Sequence, residues 1–586
     1  MKERISLTMI VRNESVYLAD CLESVKSYVD ELVIIDTGST DDTISIARGY
    51  TPQVYSFPWN NDFSAARNFA IKHASGDWIL ALDADEEIQF QGLKSLHVLL
   101  NEERDKEAFL LPLLNPVSDS TGEYNTFYVL RLFRNNENYQ YVGKIHEQVS
   151  LPDPQKVGLA KDPILKHRSL PSKIQHQKRT RNLNLLKRAS QEDPSNPFLH
   201  YYLGVEWLML GKPAYALPFL QKAYHNLSDE NLLFRAPALK YLILSLKALG
   251  RLDEALTLCL EASLEYHRFT DIFYLGGQLF EERAEYPIAL KWFEQAIICG
   301  EPPALFNHLT GSESFLAFYH LGFCYERIGK MPEARDAYET ALKQNPSFPY
   351  PLYPLFLILL REMGPFNSFQ HLEDHGFLND LHLCLTTAEL FFLADHVEKA
   401  YLCLETHKNV FIINERFLFY YSKYCIYSGR VQEGLNCLRQ MPGNHPFYEA
   451  GQKLSIIALS MLGDIQSAKT LAILLWKHPA TRCDAHIFLC ILQFMQKNTL
   501  PTPLHKVREV EILKPTLELL TDCMRYRSHE FSPNPLVAIY RLSLESLIKS
   551  SEKGLQYLLE DYAQQLLDLK TGFVAKYGNP VISYEN

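Results

Sequence analysis

No two cysteines of this chain stand in a C-x-x-C pair. The 11 cysteines are scattered, which argues against a disulfide framework. Cys259, Cys324, Cys425 and Cys490 lie in apolar surroundings and read as reduced core residues of a cytoplasmic protein. Long apolar runs are missing too. The longest candidate, around Tyr353 to Leu360, is short and meets Arg361 and Glu362, so no membrane-spanning segment is expected. The apolar run in MKERISLTMIV ends at Arg12, Asn13 and Glu14, too short for a secretory leader. Positive charge is scarce: the formal net charge is −11 and no basic stripe stands out. That argues against nucleic acid as a partner, because nothing is arranged to neutralise phosphates along a groove.

What remains is ordinary globular composition, 47% hydrophobic and 22% charged over 586 residues. That length implies roughly two to four domains. The first 170 residues alternate strand and helix signals. ISLTMIV (5–11), ELVIID (31–36), Val54 to Phe57 and Trp78 to Leu82 read as strands. Tyr17 to Tyr28 and Phe63 to His73 have helical spacing. Buried strands separated by helices predict an α/β domain, Rossmann-like, with a mostly parallel sheet. Ligands of such sheets bind beyond the carboxyl ends of the strands, which directs attention to RNE (12–14), DTGSTDD (36–42) and DADEE (83–87).

From about residue 190 the pattern is helical only, and it repeats. Leu203-Gly204, Trp207, Ala216 and Ala223 match Leu321-Gly322, Tyr325, Ala334 and Ala341 at equal offsets, with Pro346 as a terminator. A helix-turn-helix unit of about 34 residues with this spacing resembles the tetratricopeptide repeat, an all-α solenoid. Its small residues let paired helices approach closely. Weaker copies surround Ala255, Ala289, Ala400, Gly434 and Ala468. Ala255 to Ala289 spans 34 residues and Ala289 to Ala334 spans 45, so insertions are expected, for example at 300–314. The reading divides the chain into an α/β domain (1–170), a basic linker helix (171–195), a repeat solenoid (196–480) and a helical C-terminal region (481–586) that caps the solenoid. The basic run 171–190 reads either as a solvated linker or as a helix facing phosphate or acceptor.

DAD carries the clearest chemistry. Side chains two apart at a strand end point the same way, so Asp83 and Asp85 project together. Two like charges that close are unfavourable without a cation. Mg²⁺ or Mn²⁺, held by one or two carboxylates and substrate phosphates, is the natural guest; an acidic turn is the plainer alternative. Glu86 and Glu87 read as solvated or capping acids.

The segments SLTMIVRNESVYLADCLESV, VDELVIIDTGSTDDTISIA and FSAARNFAIKHASGDWILALDADE occur in order over residues 6–86. Together they resemble family-2 glycosyltransferases of the GT-A fold, over roughly residues 4–170. The resemblance implies a nucleotide-sugar donor, a UDP-sugar whose sugar the sequence does not name, and a divalent metal, Mn²⁺ or Mg²⁺. It implies that Asp36 holds the nucleotide base (a cap for the turn at Thr37 to Thr40 is the alternative). It places Arg67 near the diphosphate (or in a helix-surface ion pair), Asp83 at the ribose or at the metal through water, and Asp85 on the metal. Glu14 and Asp62 take local hydrogen-bonding roles. The block RLFRNNENYQYVGKIHEQV (131–149) closely resembles the G-K-[IV]-H-E segment of the branch that also carries tetratricopeptide repeats. It implies Glu147 as the catalytic base of an inverting transfer and Gly143 as a point of close backbone approach. His146 either orients Glu147, touches the acceptor or simply packs. His167 is the candidate metal histidine, with His176 a poorer one.

Some relatives of this layout glycosylate bacterial peptides on cysteine or hydroxyl groups, so the resemblance implies a peptide or protein acceptor recruited by the repeat groove. A cell-envelope glycan or lipid-linked acceptor is the enzymatic alternative, and an inactive repeat scaffold is the rival from another class. Association of copies into a homo-oligomer through the solenoid is allowed by the sequence and not specified by it.

Overall fold

The computed structural model describes residues 3–492, apart from 93–94, 119–120, 480, 483, 486–487 and 490–491. Cys490 and, from residue 493 on, the expected solenoid cap lie outside the described residues. The chain divides into two compact units, Met1–Pro351 and Leu352–Asn586.

In the first unit, β1 (Ile5–Val11), β2 (Glu31–Asp36), β3 (Val54–Ser56) and β4 (Trp78–Ala81) pair in parallel in the order β3-β2-β1-β4. Most of their residues are β-branched or apolar, and β4 is buried throughout, as a strand covered on both faces requires. Helices α1 (Leu18–Val25), α2 (Thr43–Tyr50) and α3 (Phe63–His73) join them. Leu18, Cys21, Leu22 and Val25 form the buried stripe of α1, at the spacing the sequence predicts. The strand order reverses between β1 and β4, which opens a crevice at their carboxyl ends.

Past β4 the sheet becomes mixed. β5 (Glu86–Gln89) precedes α4 (Leu96–Glu102) and a long hairpin of β6 (Ala108–Ser118) and β7 (Glu123–Arg134). β7 lies antiparallel to β4, and the order continues β7-β6-β11-β5. The short β8 (Tyr141–Val142) and β9 (Gln148–Val149) pair with each other, β10 (Val157–Leu159) joins β6, and β11 (Ile164–His167) runs antiparallel to β5.

Helix α5 (Ser172–Glu192) then leads into the helix pairs α6 (Pro197–Met209)/α7 (Pro213–Asn226), α8 (Leu232–Ala248)/α9 (Leu252–Glu265), α10 (Thr270–Glu282)/α11 (Tyr286–Cys299) and α12 (Phe315–Arg327)/α13 (Met331–Gln344). The small residues act as expected. A Cβ at Gly204 would meet Leu220 Cγ at 2.5 Å, and one at Gly322 would meet Tyr338 Cε1 at 2.5 Å.

The insertion at 300–314 has a structural task. It forms β12 (His308–Leu309), which adds antiparallel to β7 with His308 opposite Thr126. Asp271 of α10, 1% exposed, pins it. Asp271 accepts from Lys240, from His308 Nδ1 at 3.0 Å, from the Leu309 N–H at 3.0 Å and from Ser312 Oγ at 2.9 Å. His308 Nε2 meets Glu313 at 3.0 Å. Burial opposes the charge of His308, but the carboxylates of Asp271 and Glu313 outweigh it and push its pKa up to about 9. The first compact unit therefore runs past residue 170, to Pro351: a strand from the repeat region belongs to the sheet.

The second unit, by itself, starts with α14 (Leu352–Asp374), broken at Gly364. The pairs α15 (Leu381–Leu393)/α16 (Val397–Phe411), α17 (Glu415–Tyr427)/α18 (Val431–Arg439) and α19 (Tyr448–Met461)/α20 (Ile465–Trp476) follow. No helix among the described residues is long and apolar enough to cross a membrane.

Candidate active site

A cavity of about 740 Å³ opens at the β1/β4 crevice. Its walls come from both halves of the first unit. Arg12 and Glu14 follow β1, Arg67 comes from α3, and Asp83 and Asp85 follow β4. Arg131 comes from β7, His146 and Glu147 from the loop after β8, His167 from β11, and Lys178 and Arg181 from α5. Tyr201, Tyr202 and Phe234 of the repeat helices close the remaining side.

Asp83 and Asp85 both line the cavity, yet they pair with different cations. Asp83 Oδ1 accepts from Arg67 Nη2 at 2.6 Å, and Oδ2 accepts from Arg131 Nη2 at 2.8 Å. Burial opposes the charge of Asp83, but the two guanidinium groups outweigh it and hold its pKa well below the usual carboxylate range. Asp85 Oδ2 instead accepts from Lys178 Nζ at 2.9 Å and lies 3.5 Å from His167 Nε2. Strand alternation stops at Ala81, and the turn that follows sends the two carboxylates to different partners.

Glu86 corrects the reading of the sequence. It is 1% exposed and is neither solvated nor a helix cap. It pairs with Arg131, and its Oε2 accepts from the Asp83 N–H at 3.0 Å. Residues 86–89 form β5 against β11, which carries Glu86 inside. Burial pushes its carboxyl up despite Arg131. Glu87 is held by Arg168.

Arg67 Nε donates to Glu147 Oε1 at 2.5 Å while its Nη2 holds Asp83. One fixed guanidinium thus ties the GKIHE loop to the end of β4, a geometry suited to its planar fork. Of the two roles weighed for Arg67, the ion pair is present, and it is inside the cavity, not on the helix surface. The loop is held from below as well. Ile145 packs with Leu183, Leu186 and Leu203, and Lys144 C=O accepts from the Phe63 N–H at 2.9 Å. His146 has φ 50° and stacks on Tyr202, with ring centroids 3.9 Å apart and planes at 2°. Its Nε2 makes no hydrogen bond and lies 3.9 Å from Glu206. Burial, aided by Arg181, lowers its pKa to about 4, so it is neutral at pH 7. Gly143 supplies a left-handed turn at φ 94°.

Asp36 and Asp62 serve their own backbones. Asp36 Oδ2 accepts from the Gly38 N–H at 3.0 Å and Oδ1 from the Ser39 N–H at 3.1 Å. That is the turn cap weighed as its alternative role, and its neighbour Thr37 reaches the cavity wall. Asp62 caps α3, accepting from the Ala65 N–H at 2.9 Å.

Asp85 and His167, 3.5 Å apart, are ligand types that suit a hard divalent ion completed by substrate phosphates; Glu14 stands on the far side of Lys178, and the three do not gather their ligand atoms into one cluster. His167 Nδ1 donates to the Arg168 carbonyl oxygen at 2.9 Å, which orients the ring with Nε2 3.5 Å from Asp85 Oδ2. A ligating histidine held through its other nitrogen is the usual arrangement of metal sites.

Three features escaped the sequence reading. Arg131 opens a quoted block, RLFRNN, but nothing in one sequence says that β7 lies beside β4. Lys178 and Arg181 sit in the basic run, whose plainer reading is a solvated linker helix, with a phosphate- or acceptor-facing helix as the alternative. Tyr202 belongs to a repeat whose aromatics read as packing residues.

Residues 6–144 match the family model described as glycosyl transferase family 2, and residues 315–348 match the tetratricopeptide repeat. A TPR repeat-containing protein of Synechococcus elongatus is 42% identical over 146 residues, 25% of this chain and 35% of that protein. The SPbeta prophage-derived glycosyltransferase SunS of Bacillus subtilis is 32% identical over 238 residues, 39% of this chain and 54% of that protein. A glycosyltransferase of Rickettsia felis is 41% identical over 86 residues, 15% of this chain and 30% of that protein. The matched stretch thus spans about a third to a half of these curated relatives. Taken with the sheet order and the helix pairs, these matches show that the chain carries a family 2 glycosyltransferase domain at its N-terminal end and tetratricopeptide repeats after it.

Proposed function

We propose that this protein is an inverting glycosyltransferase that moves a sugar from a nucleotide-sugar donor, a UDP-sugar by preference, to a peptide or protein acceptor recruited by the repeats. The observation that carries the reading is the cavity itself. At the β1/β4 crevice it combines the carboxylates of Asp83 and Asp85 with the cations Arg67, Arg131, Lys178 and Arg181, and a glutamate, Glu147, stands in the same space. Such a set suits an anionic diphosphate leaving group at one point and proton removal at another. The match to family 2 and to named glycosyltransferases supports the same reaction class.

A divalent ion, Mn²⁺ or Mg²⁺, held by Asp85 and His167 with Glu14 nearby, would stabilise the charge of the leaving diphosphate. The rest falls to the chain. Arg67 and Arg131 fix Asp83 for the ribose side of the donor. Glu147 gives Oε1 to Arg67 and uses its other oxygen to take the acceptor proton. Neutral His146, clamped on Tyr202, sets the direction of the adjoining Glu147 and tightens the wall where the acceptor enters. Tyr201, Tyr202 and Phe234 give that wall an aromatic surface drawn from the repeats, which supports an acceptor brought in by them. Displacement is a single step, so no covalent intermediate is needed. A donor-hydrolysis screen over several nucleotide sugars, with and without Mn²⁺, tests the reading. Metal-stimulated release of UDP is the expected result; no release of any nucleotide diphosphate would favour a scaffold.

A further inference from the structure

Lys178 stands where a reader of the sequence would place solvent. It projects from the middle of α5 into the cavity. Its ammonium lies 2.9 Å from Asp85 Oδ2 and 3.3 Å from Glu14 Oε1. Asp85 Oδ2 is also the oxygen that faces His167 Nε2 at 3.5 Å. One carboxylate oxygen thus meets both a lysine ammonium and an imidazole nitrogen.

The groups facing Lys178 define its choices. Asp85 and Glu14 hold it; Arg12 and Arg181 line the same two cavities, the main one and a smaller one of about 440 Å³ whose wall Glu14 also shares. Those two guanidinium groups are the cations nearest to hand around Glu14 and Lys178. An ammonium expelled from Asp85 need not enter bulk water, because an anion held between Arg12 and Arg181 would receive it. The side chain is long and unbranched, and swinging it is inexpensive compared with moving a strand.

We infer that Lys178 is an exchangeable resident cation. Its ammonium holds Asp85 and Glu14 when the protein is empty, and it gives way to the divalent ion and moves to the donor diphosphate when both arrive. This rests on the proposed metal-dependent reading and extends it to an order of binding. Metal alone must compete with the tethered ammonium for Asp85. Metal arriving with a diphosphate does not, because the phosphates give Lys178 a new partner. The protein is therefore built to bind metal poorly until donor is present.

The test measures Mn²⁺ binding to the full chain from the loss of its free EPR signal, with and without UDP, for wild type, Lys178→Met and Lys178→Arg. Each variant is checked by thermal melting, and Lys178 lies on the cavity wall, where methionine fits without breaking the core. Without UDP, Lys178→Met is expected to bind Mn²⁺ at least tenfold more tightly than wild type, whereas Lys178→Arg, which keeps the charge, stays weak. With UDP the wild type gains affinity and the advantage of Lys178→Met disappears or reverses. Equal or weaker binding by Lys178→Met in the absence of UDP would overturn the exchange while leaving metal-dependent transfer standing. If UDP binds but Mn²⁺ binds neither protein in its presence, both the exchange and the metal-dependent reading fall.

Discussion

The first unit holds two clusters of charged side chains that look alike on paper and differ in what encloses them. At the cavity, Arg67, Asp83, Arg131 and Glu86 form a chain of ion pairs, and Asp83 keeps about a third of its side-chain surface exposed. At the insertion, Lys240, Asp271 and His308 form another, with side-chain exposures of 6%, 1% and 7%. In the sealed cluster the charges are answered by the protein: Asp271 has two cations, a hydroxyl and a backbone N–H, and the unanswered atoms there are the neutral amide of Asn307. The cavity cluster leaves polar atoms of its own charged side chains and their neighbours unanswered. Arg131 Nε, the Tyr141 hydroxyl and His146 Nε2 are buried and make no hydrogen bond. Unanswered buried groups are expensive unless something else answers them. The comparison teaches that the same residue types serve cohesion where the protein completes their bonding and serve binding where it does not.

That contrast predicts opposite phenotypes. On the cavity side the largest effect belongs to Glu147→Gln. Glutamine keeps an oxygen for Arg67 Nε, so the loop stays tied and UDP binding is unchanged. Removal of the base should lower transfer by roughly a hundred- to ten-thousandfold. Single-turnover transfer alongside calorimetric UDP binding separates the two. Full transfer by Glu147→Gln would remove Glu147 from the role of base. Next comes Asp85→Ala, which takes away a metal ligand worth several kcal/mol at the leaving group. Metal-stimulated donor hydrolysis should drop by about a thousandfold, and Mn²⁺ binding in the presence of UDP should vanish, while the melting curve hardly moves. A variant that still binds Mn²⁺ as wild type does would dissolve the metal assignment.

On the sealed side the order of effects inverts. Asp271→Asn leaves Lys240 buried without its counter-charge, and breaking such a pair typically costs about 3–5 kcal/mol. Urea unfolding followed by tryptophan fluorescence would register it, since four of the five tryptophans lie in this unit. UDP binding per folded molecule should stay the same. If Asp271→Asn were as stable as wild type, the two clusters would not differ in the way their enclosure suggests.

His308 adds a pH signature to the same cluster. Its folded pKa, about 9, lies above its ordinary value of 6.5. Its contribution is therefore fully present below about pH 6.5 and is lost as pH rises through 9. The amount is on the order of 3 kcal/mol. Wild type and His308→Gln compared at pH 6 and pH 10 should differ clearly at the first and little at the second. A constant difference would mean that His308 packs there without its charge.

Much of this was legible in the sequence, and the limits have physical causes. The four parallel strands declared themselves through β-branched runs, and the helix pairs through Gly204 and Gly322 at equal offsets. Asp83, Asp85 and Arg67 stand in local motifs, and all three meet in one cavity. Glu86 was misread because burial after a turn depends on β11, a strand about 80 residues away. Lys178 could be read as solvent-facing because the hydrophobic stripe of α5 is thin: Leu183 and Leu186 are its buried residues. β12 is two residues long, too short for any periodicity, and only its pairing with β7 gives it meaning.

The smallest effect sharpens the contrast from within the repeats, where no charge is involved. The turns inside three of the first four helix pairs hold a glycine in the left-handed region, Gly211, Gly250 and Gly329, and the turn between α10 and α11 holds Ala284 there at φ 59°. An L-residue with a Cβ costs roughly 1 kcal/mol in that conformation, and Ala284 is exposed, so no packing offsets it. Ala284→Gly should therefore stabilise the first unit by up to about 0.5 kcal/mol, after the extra freedom of glycine in the unfolded chain is deducted. A rise in the urea midpoint with unchanged UDP and Mn²⁺ binding is the expected result. Because α10 also carries Asp271, a loss of stability instead would show that the strain at Ala284 is needed to aim that helix at β12, and that the sealed cluster depends on the turn as well as on its charges.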